Sequence, residues 1–558
     1  MTTSGRLNAA EHAAVFGRLA GAEFDVLVIG GGVTGAGAAL DAASRGLRVA
    51  LVEARDLASG TSSRSSKLIH GGLRYLEQLD FKLVSEALRE RDLLISRIAP
   101  HLVKPVSFLY PLHRKVVERP YVGAGLVLYD AMNVTRKRVP FHRHLSTAGA
   151  VRLAPALKAS HLAGALLYYD ARTDDARFTL TVARTAAAHG AVIATRARAV
   201  ELRRDPGGQR VAGARVRDEE TGREVTVSAR RVIVCAGVWT DLVHGLAGVR
   251  AGYQVRMSKG VHIVVPRQAI RSDTGIILRT DKSVLFIIPW GQRWIVGTTD
   301  TDWSGDRADP EPTADDIDYL LDQANRVLVR PLLRSDVMGV YAGLRPLVAA
   351  DESAPTTRLS REHVIDEPVP GLVSIAGGKF TTYRVMARDV VDAAVADYDR
   401  RVPASVTDQL PLLGAEGLAS AAAEAARLAE DYGLARDAVG HLLDRYGTLA
   451  EDLLELTRAD PALAEPLIDG YPYLGAEAAY AVTHEAALHV ADVLTRRLRL
   501  FFEAPGGGAA AADPVAAIMG DRLGWDAATR AAEAESYRKF AAAETHAIGE
   551  VAGQLAAG

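Results

Sequence analysis

The chain has 558 residues, 48% of them hydrophobic and 24% charged, with a formal net charge of −2. That length exceeds what one hydrophobic core usually supports, so two or three domains are expected, and the near-neutral charge carries no signature of nucleic-acid binding. The single cysteine, Cys235, excludes an intramolecular disulfide and fits a reducing compartment.

Residues 1–22 form an N-terminal extension with acidic residues and no apolar stretch of the signal-peptide kind. No uncharged apolar run approaches the ~20 residues needed to span a bilayer, so any membrane contact is expected to be peripheral. From Phe24 the texture changes. Val26 to Ile29 reads as a buried parallel strand that stops at Gly30, and Gly30, Gly32 and Gly35 stand at G-x-G-x-x-G spacing, with Gly31 and Thr34 in the same turn. A small-residue helix, Ala36 to Arg45, and a second strand, Leu47 to Val52, follow, closed by Glu53. The order predicts a dinucleotide site: pyrophosphate on the helix N-terminus and a ribose diol on Glu53.

The next stretch, Asp56 to Glu77, is rich in hydroxyls and glycines: Gly60-Thr-Ser-Ser-Arg-Ser-Ser-Lys-Leu-Ile-His70-Gly-Gly-Leu-Arg-Tyr75. A nicotinamide enzyme has no obvious use for it. A flavin does, because Thr61, Ser62, Lys67, His70, Gly71, Gly72 and Leu73 can meet the pyrophosphate, the ribityl chain and the ring. Between Lys104 and His144 eight Lys/Arg face two acids, with Tyr129, Leu126 and other apolar residues interleaved. This is a candidate surface for anionic lipid headgroups.

Further strand signals fall at 190–194, 210–216, 224–227, 231–234, 262–265, 284–288, 294–296 and 372–376. Those at 231–234 and 372–376 end in the small turns Ala236-Gly237 and Gly377-Gly378, which places both in the first sheet with their amides toward the cofactor. From about Leu410 an Ala/Leu/Glu/Arg-rich helical period predicts an all-α domain over 405–558. Within it, Ala504 to Asp513 reads as a flexible surface loop.

These motifs, together with Lys82–Leu88, Lys259–Pro266, Ile288-Pro-Trp290, Gly297-Thr-Thr-Asp300, Gly343-Leu-Arg-Pro-Leu347 and Gly377–Arg384, resemble the FAD-dependent, membrane-associated glycerol-3-phosphate dehydrogenases over essentially the whole chain. The resemblance implies an α/β fold: a Rossmann-like FAD-binding domain of the glutathione-reductase/DAO type, a β-rich substrate domain and a C-terminal helical cap. The first two are interleaved over 23–400. It also implies oxidation of sn-glycerol 3-phosphate to dihydroxyacetone phosphate by hydride transfer from C2 to flavin N5. Electrons would pass to a membrane quinone, ubiquinone or menaquinone, from a cytoplasmic homodimer resting on the inner membrane face. No metal and no nucleic acid are expected. The cofactor contacts extend to Val200, Ala236, Gly237, Gly378, Lys379, Phe380 and Thr381.

The residues support the same chemistry. Arg345, in a glycine-proline context that favours a fixed turn, suits phosphate or alkoxide. Arg74, Tyr75 and Thr381 join it as substrate contacts. Lys379, placed by a helix N-terminus, serves the substrate and the reduced ring. His262 is the candidate general base and His70 a flavin contact; water activated by Arg345 is the alternative proton acceptor. A soluble oxidase using O₂, an amine or amino-acid oxidase of the same fold, and a non-catalytic flavin sensor remain as other readings.

Overall fold

A computed structural model describes residues 5–72, 80–112, 118–131, 139–280, 284–349 and 362–555. Leu73, Arg74 and Tyr75 lie outside the described residues, as do Arg136, Lys137 and Arg138. Two sheets and a helical region are built around separate apolar cores.

The first sheet runs in the order His363–Val369, Leu372–Gly377, Glu224–Val234, Glu23–Ile29, Val49–Val52, Val192–Ala194. Along this order the pairings inward of the first strand are parallel, and Ala197–Arg204 and Val211–Asp218 extend the sheet antiparallel from Glu224–Val234. Six of the seven residues of Glu23–Ile29 are buried, and so is all of Val49–Val52, as a parallel strand covered on both faces requires. The helix Val33–Ser44 packs on one face against Tyr383–Val395, with Gly37 close to the Tyr383 ring. The runs at 224–227 and 231–234 are one strand, not two. Its first half alternates exposed and buried while pairing antiparallel with Val211–Asp218; its second half is continuously buried beside Glu23–Ile29.

The second sheet is mostly antiparallel and is organised around Gln254–Pro266, which pairs with Arg293–Gly297 on one side and Gly339–Ala349 on the other. Arg345 therefore sits in mid-strand opposite Ser258, not in a turn. Pro346 does not break that strand because, among the described residues, Gly339–Ala349 pairs only with Gln254–Pro266, and a proline is tolerated on an unpaired edge.

Helices occupy most of the chain from Leu418 to Leu555. Residues 504–513 are packed rather than loose. Gly506, Gly507 and Gly508 turn left-handed at φ of 58°, 65° and 68°, Gly507 and Gly508 are buried, and the Tyr537 hydroxyl donates to Gly507 O. Side chains join this region to the first sheet across a buried ionic seam. Arg497 grips Asp56 with both terminal nitrogens, Arg177 pairs with Glu485, and Arg499 reaches Asp175 at 3.2 Å. These charges are out of water but each faces an opposite charge, which offsets part of the cost of burying them.

Candidate functional site

A cleft of about 720 Å³ runs between the two sheets. At one end it is lined by Glu53, Arg198, Val200, Trp239 and Leu246, at the middle by Gly30, Gly32, Thr34, Thr61, Ser62, Ala236 and Gly237, and at the other end by Ser66, His70, His262, Arg345, Gly378, Lys379, Phe380 and Thr381.

The first end is made largely by backbone. Gly30 has φ 113°, and a Cβ there would stand 2.5 Å from Cys235 O, so only glycine lets the chain turn so close to the neighbouring strand. Gly35 is the packing glycine: its Cβ would meet Gly30 O at 1.9 Å. The helix it belongs to begins at Val33 with no side-chain cap from Gly32, which leaves its positive end facing the cleft. Glu53 accepts from Gly31 N at 2.6 Å and Arg55 N at 2.8 Å; burial raises its pKa, opposed by those two amides. Each oxygen keeps a lone pair for a diol. Ser62 Oγ accepts from Val33 N at 2.9 Å, and the Thr61 hydroxyl donates to Leu344 O at 2.6 Å, joining this end to the second sheet.

The other end is assembled from side chains on alternating strand positions. Ser258, Gly260 and His262 pair with Arg345, Gly343 and Tyr341, so all six share one face. Glycines make room for flat groups. A Cβ on Gly260 would meet an Arg345 guanidinium nitrogen at 2.5 Å, and one on Gly297 would meet the His262 ring at 2.2 Å. Tyr341 stacks on the imidazole at 4.7 Å between centroids with 10° between planes. The guanidinium is steadied by Thr298 Oγ1 at 3.1 Å, Ser258 Oγ at 3.3 Å and Asp300 at 3.7 Å. Burial pushes His262 well below the ordinary histidine value, and the cations of Arg345 and Lys67 push the same way, so the imidazole is neutral at physiological pH. Lys379 precedes the turn Phe380–Thr382, which opens the helix Tyr383–Val395. The Thr381 hydroxyl accepts from His70 N at 3.1 Å and so ties the two cleft segments together.

Comparisons with known proteins decide what such a cleft belongs to. The family profile described as FAD dependent oxidoreductase matches residues 25–393, and that of the C-terminal domain of alpha-glycerophosphate oxidase matches 405–530. Glycerol-3-phosphate dehydrogenase 2 of Mycobacterium tuberculosis is 53% identical over 538 residues, covering 96% of this chain and 91% of that one. The chain belongs to the FAD-dependent glycerol-3-phosphate dehydrogenase family. The human mitochondrial glycerol-3-phosphate dehydrogenase is 38% identical over 537 residues, 93% of this chain and 73% of that one. The structure of the glycerol-3-phosphate dehydrogenase from Bacillus halodurans complexed with FAD superposes with a TM-score of 0.78 at 28% identity, covering 96% of this chain and 98% of that one.

FAD is the cofactor, and the cleft fits it: a helix N-terminus facing it, an acid beside it, and a continuous channel to the cationic end. Some residues expected to touch FAD lie elsewhere. Lys67 is 1% exposed, bonded to Asp175 at 2.8 Å and Ser63 O at 3.0 Å and surrounded by Trp290, Tyr341 and Phe502; burial and nearby Arg499 lower its pKa to about 8. It does not line the cleft. Gly71 is buried, its N–H shared by Tyr129 Oη at 3.0 Å and Asp170. Neither it nor Gly72 lines the cleft, and Gly31 and Gly35 shape the turn from behind. Ser65, Ser66 and Asp300 stand inside motifs read from the sequence, which assigns them no individual role because short polar residues carry no period.

Proposed function

We propose that the protein oxidises sn-glycerol 3-phosphate to dihydroxyacetone phosphate. The observation that carries this reading is the meeting of two cations, Arg345 and Lys379, with a buried neutral imidazole, His262, at one end of the FAD cleft. A phosphate dianion needs the cations, and removal of a hydroxyl proton needs the imidazole. The names of the relatives agree. Bound FAD supplies the hydride acceptor. Arg345, fixed by Thr298, Ser258 and Asp300, orients the anionic substrate, and His262 receives the C2 hydroxyl proton. Lys379, which lines the same end, would offset negative charge on the ring of bound FAD. The test is anaerobic titration of the yellow protein. Bleaching by sn-glycerol 3-phosphate and not by glycine supports the reading, while bleaching by glycine favours an amine oxidase.

The acceptor we propose is a membrane quinone, reached by peripheral attachment. No helix among the described residues is long and apolar enough to cross a membrane. Leu126 and Tyr129, expected as anchors, are buried at 0% and 3% exposure: Tyr129 Oη donates to Asp170 beneath the second sheet. Among the described residues of this stretch, the exposed large apolar ones are Val127, Leu128 and Phe141. Replacing Arg136, Lys137 and Arg138 by Gln should weaken flotation with anionic liposomes and leave dye reduction intact. Fast reoxidation by O₂ with peroxide release would instead mark a soluble oxidase.

A further inference from the structure

His262 is clamped, and the clamp leaves it one hydrogen-bonded route outward. The ring lies between Tyr341 and the bare Gly297 backbone and is 2% exposed. Nδ1 is buried and finds no hydrogen-bond partner among the described residues. Nε2 is 2.8 Å from Ser66 Oγ. Ser66 is only half-buried and lines the cleft. A hydroxyl can donate to a neutral imidazole and accept from an imidazolium, so this contact survives transfer of a proton in either direction.

We propose that Ser66 is a catalytic proton relay, its hydroxyl standing between the substrate and His262. The inference rests on the substrate oxidation proposed above. In that step the substrate C2 hydroxyl proton passes to Ser66 Oγ while the Ser66 proton passes to His262 Nε2. The C2–H bond breaks with both electrons leaving to FAD, and the electrons of the broken O–H bond form the second C–O bond of the ketone. Substrate loses one proton and one hydride; His262 gains the proton and FAD the hydride.

The chain around Ser66 is held as a relay requires. Arg64 pairs with Glu544 through both terminal nitrogens, at 3.1 and 3.0 Å, and donates to Ala342 O at 3.2 Å. Ser65 gives its N–H and its hydroxyl to Asp175 at 2.9 and 2.7 Å, and its carbonyl accepts from Tyr341 Oη at 3.1 Å. Glu544 lies on the last helix, Ala527–Leu555, and Asp175 is also gripped by Arg499. The helical region thus positions the relay from about 480 residues away in sequence.

Four variants, each loaded with FAD, test it by anaerobic rapid-mixing reduction with sn-glycerol 3-phosphate. Ser66→Ala should slow flavin reduction about 100-fold with flavin content and KM little changed, and Ser66→Thr, which keeps the hydroxyl, should recover most of the loss. Glu544→Gln, which removes a charge that touches neither cleft nor imidazole, should slow it about three- to tenfold. His262→Gln separates the two hypotheses. If His262→Gln is slow and Ser66→Ala is not, the relay is wrong; if His262→Gln reduces at the normal rate, the assignment of the base is wrong. A readout independent of turnover is the imidazole nitrogen signal of His262 in ¹⁵N-histidine-labelled protein. Ser66→Ala should shift the Nε2 resonance and Ser66→Thr should not, whereas an unmoved resonance in Ser66→Ala overturns the proposal.

Discussion

The two ends of the cleft are built by opposite means. The nucleotide end centres on one stretch, residues 23–62, with 197–200 and 235–246 completing its wall, and its working parts are amides, a helix end and glycines that admit them. The cationic end, proposed to take the substrate, draws on segments around 66, 258–262, 297–300, 341–345 and 377–381, and its parts are side chains held by other side chains. A backbone site fails by losing its ligand or its fold. A side-chain site fails by losing rate while the ligand stays.

That contrast can be broken most severely at Gly35. Gly35→Val would drive a side chain into Gly30 O, and the expected outcome is protein without flavin or without soluble fold, read from the absorbance near 450 nm. Retention of FAD at wild-type affinity by that variant would mean the turn is not what holds the nucleotide.

At the other end, Arg345→Ala should cost about 2–4 kcal/mol in kcat/KM, with flavin content nearly unchanged. Loss of flavin in step with activity would erase the distinction between the ends. A smaller effect is expected for Glu53→Gln, which gives up the carboxylate between Gly31 N and Arg55 N. FAD should bind about tenfold more weakly while kcat at saturating FAD holds. A fall in kcat there would show the two ends to be coupled.

The smallest effect concerns the seam that joins both ends to the helical region. His489 is half-buried, and that partial desolvation lowers its pKa, but its hydrogen bonds to Glu220 and Glu533 prevail and hold it up at about 10. Its stabilisation is full below the unfolded value of 6.5 and is lost as pH rises through about 10. The melting temperature should therefore decline between those limits, and His489→Gln should flatten that decline. An identical pH profile in the variant would assign the alkaline loss to other groups.

The Glu23–Ile29 strand, the glycine turn, the Val33–Ser44 helix and Glu53 were readable in sequence because each depends on neighbours a few residues away: apolar run, turn chemistry, small-residue helix, acid. So were the two strands that rejoin the first sheet, since a buried parallel strand writes a continuous apolar run. The place of Arg345 differs from the turn expected because a glycine and a proline three residues apart, Gly343 and Pro346, signal a turn locally, and strand pairing with Ser258 overrules it. Lys67 was misread because alternation along Ser65-Ser66-Lys67 sends one polar residue to the cleft and the next to a buried carboxylate, and Asp175 is 108 residues away.

Sequence by itself determined the FAD-binding motif, the family and the presence of Arg345, His262 and Lys379. Tertiary structure decided their arrangement: His262 flat between Tyr341 and Gly297, Ser66 on its Nε2, Glu544 behind Arg64. The physical reason is range. Backbone sites are specified by short runs of the chain, whereas a side chain acquires its orientation and protonation from groups that folding alone brings within hydrogen-bonding distance.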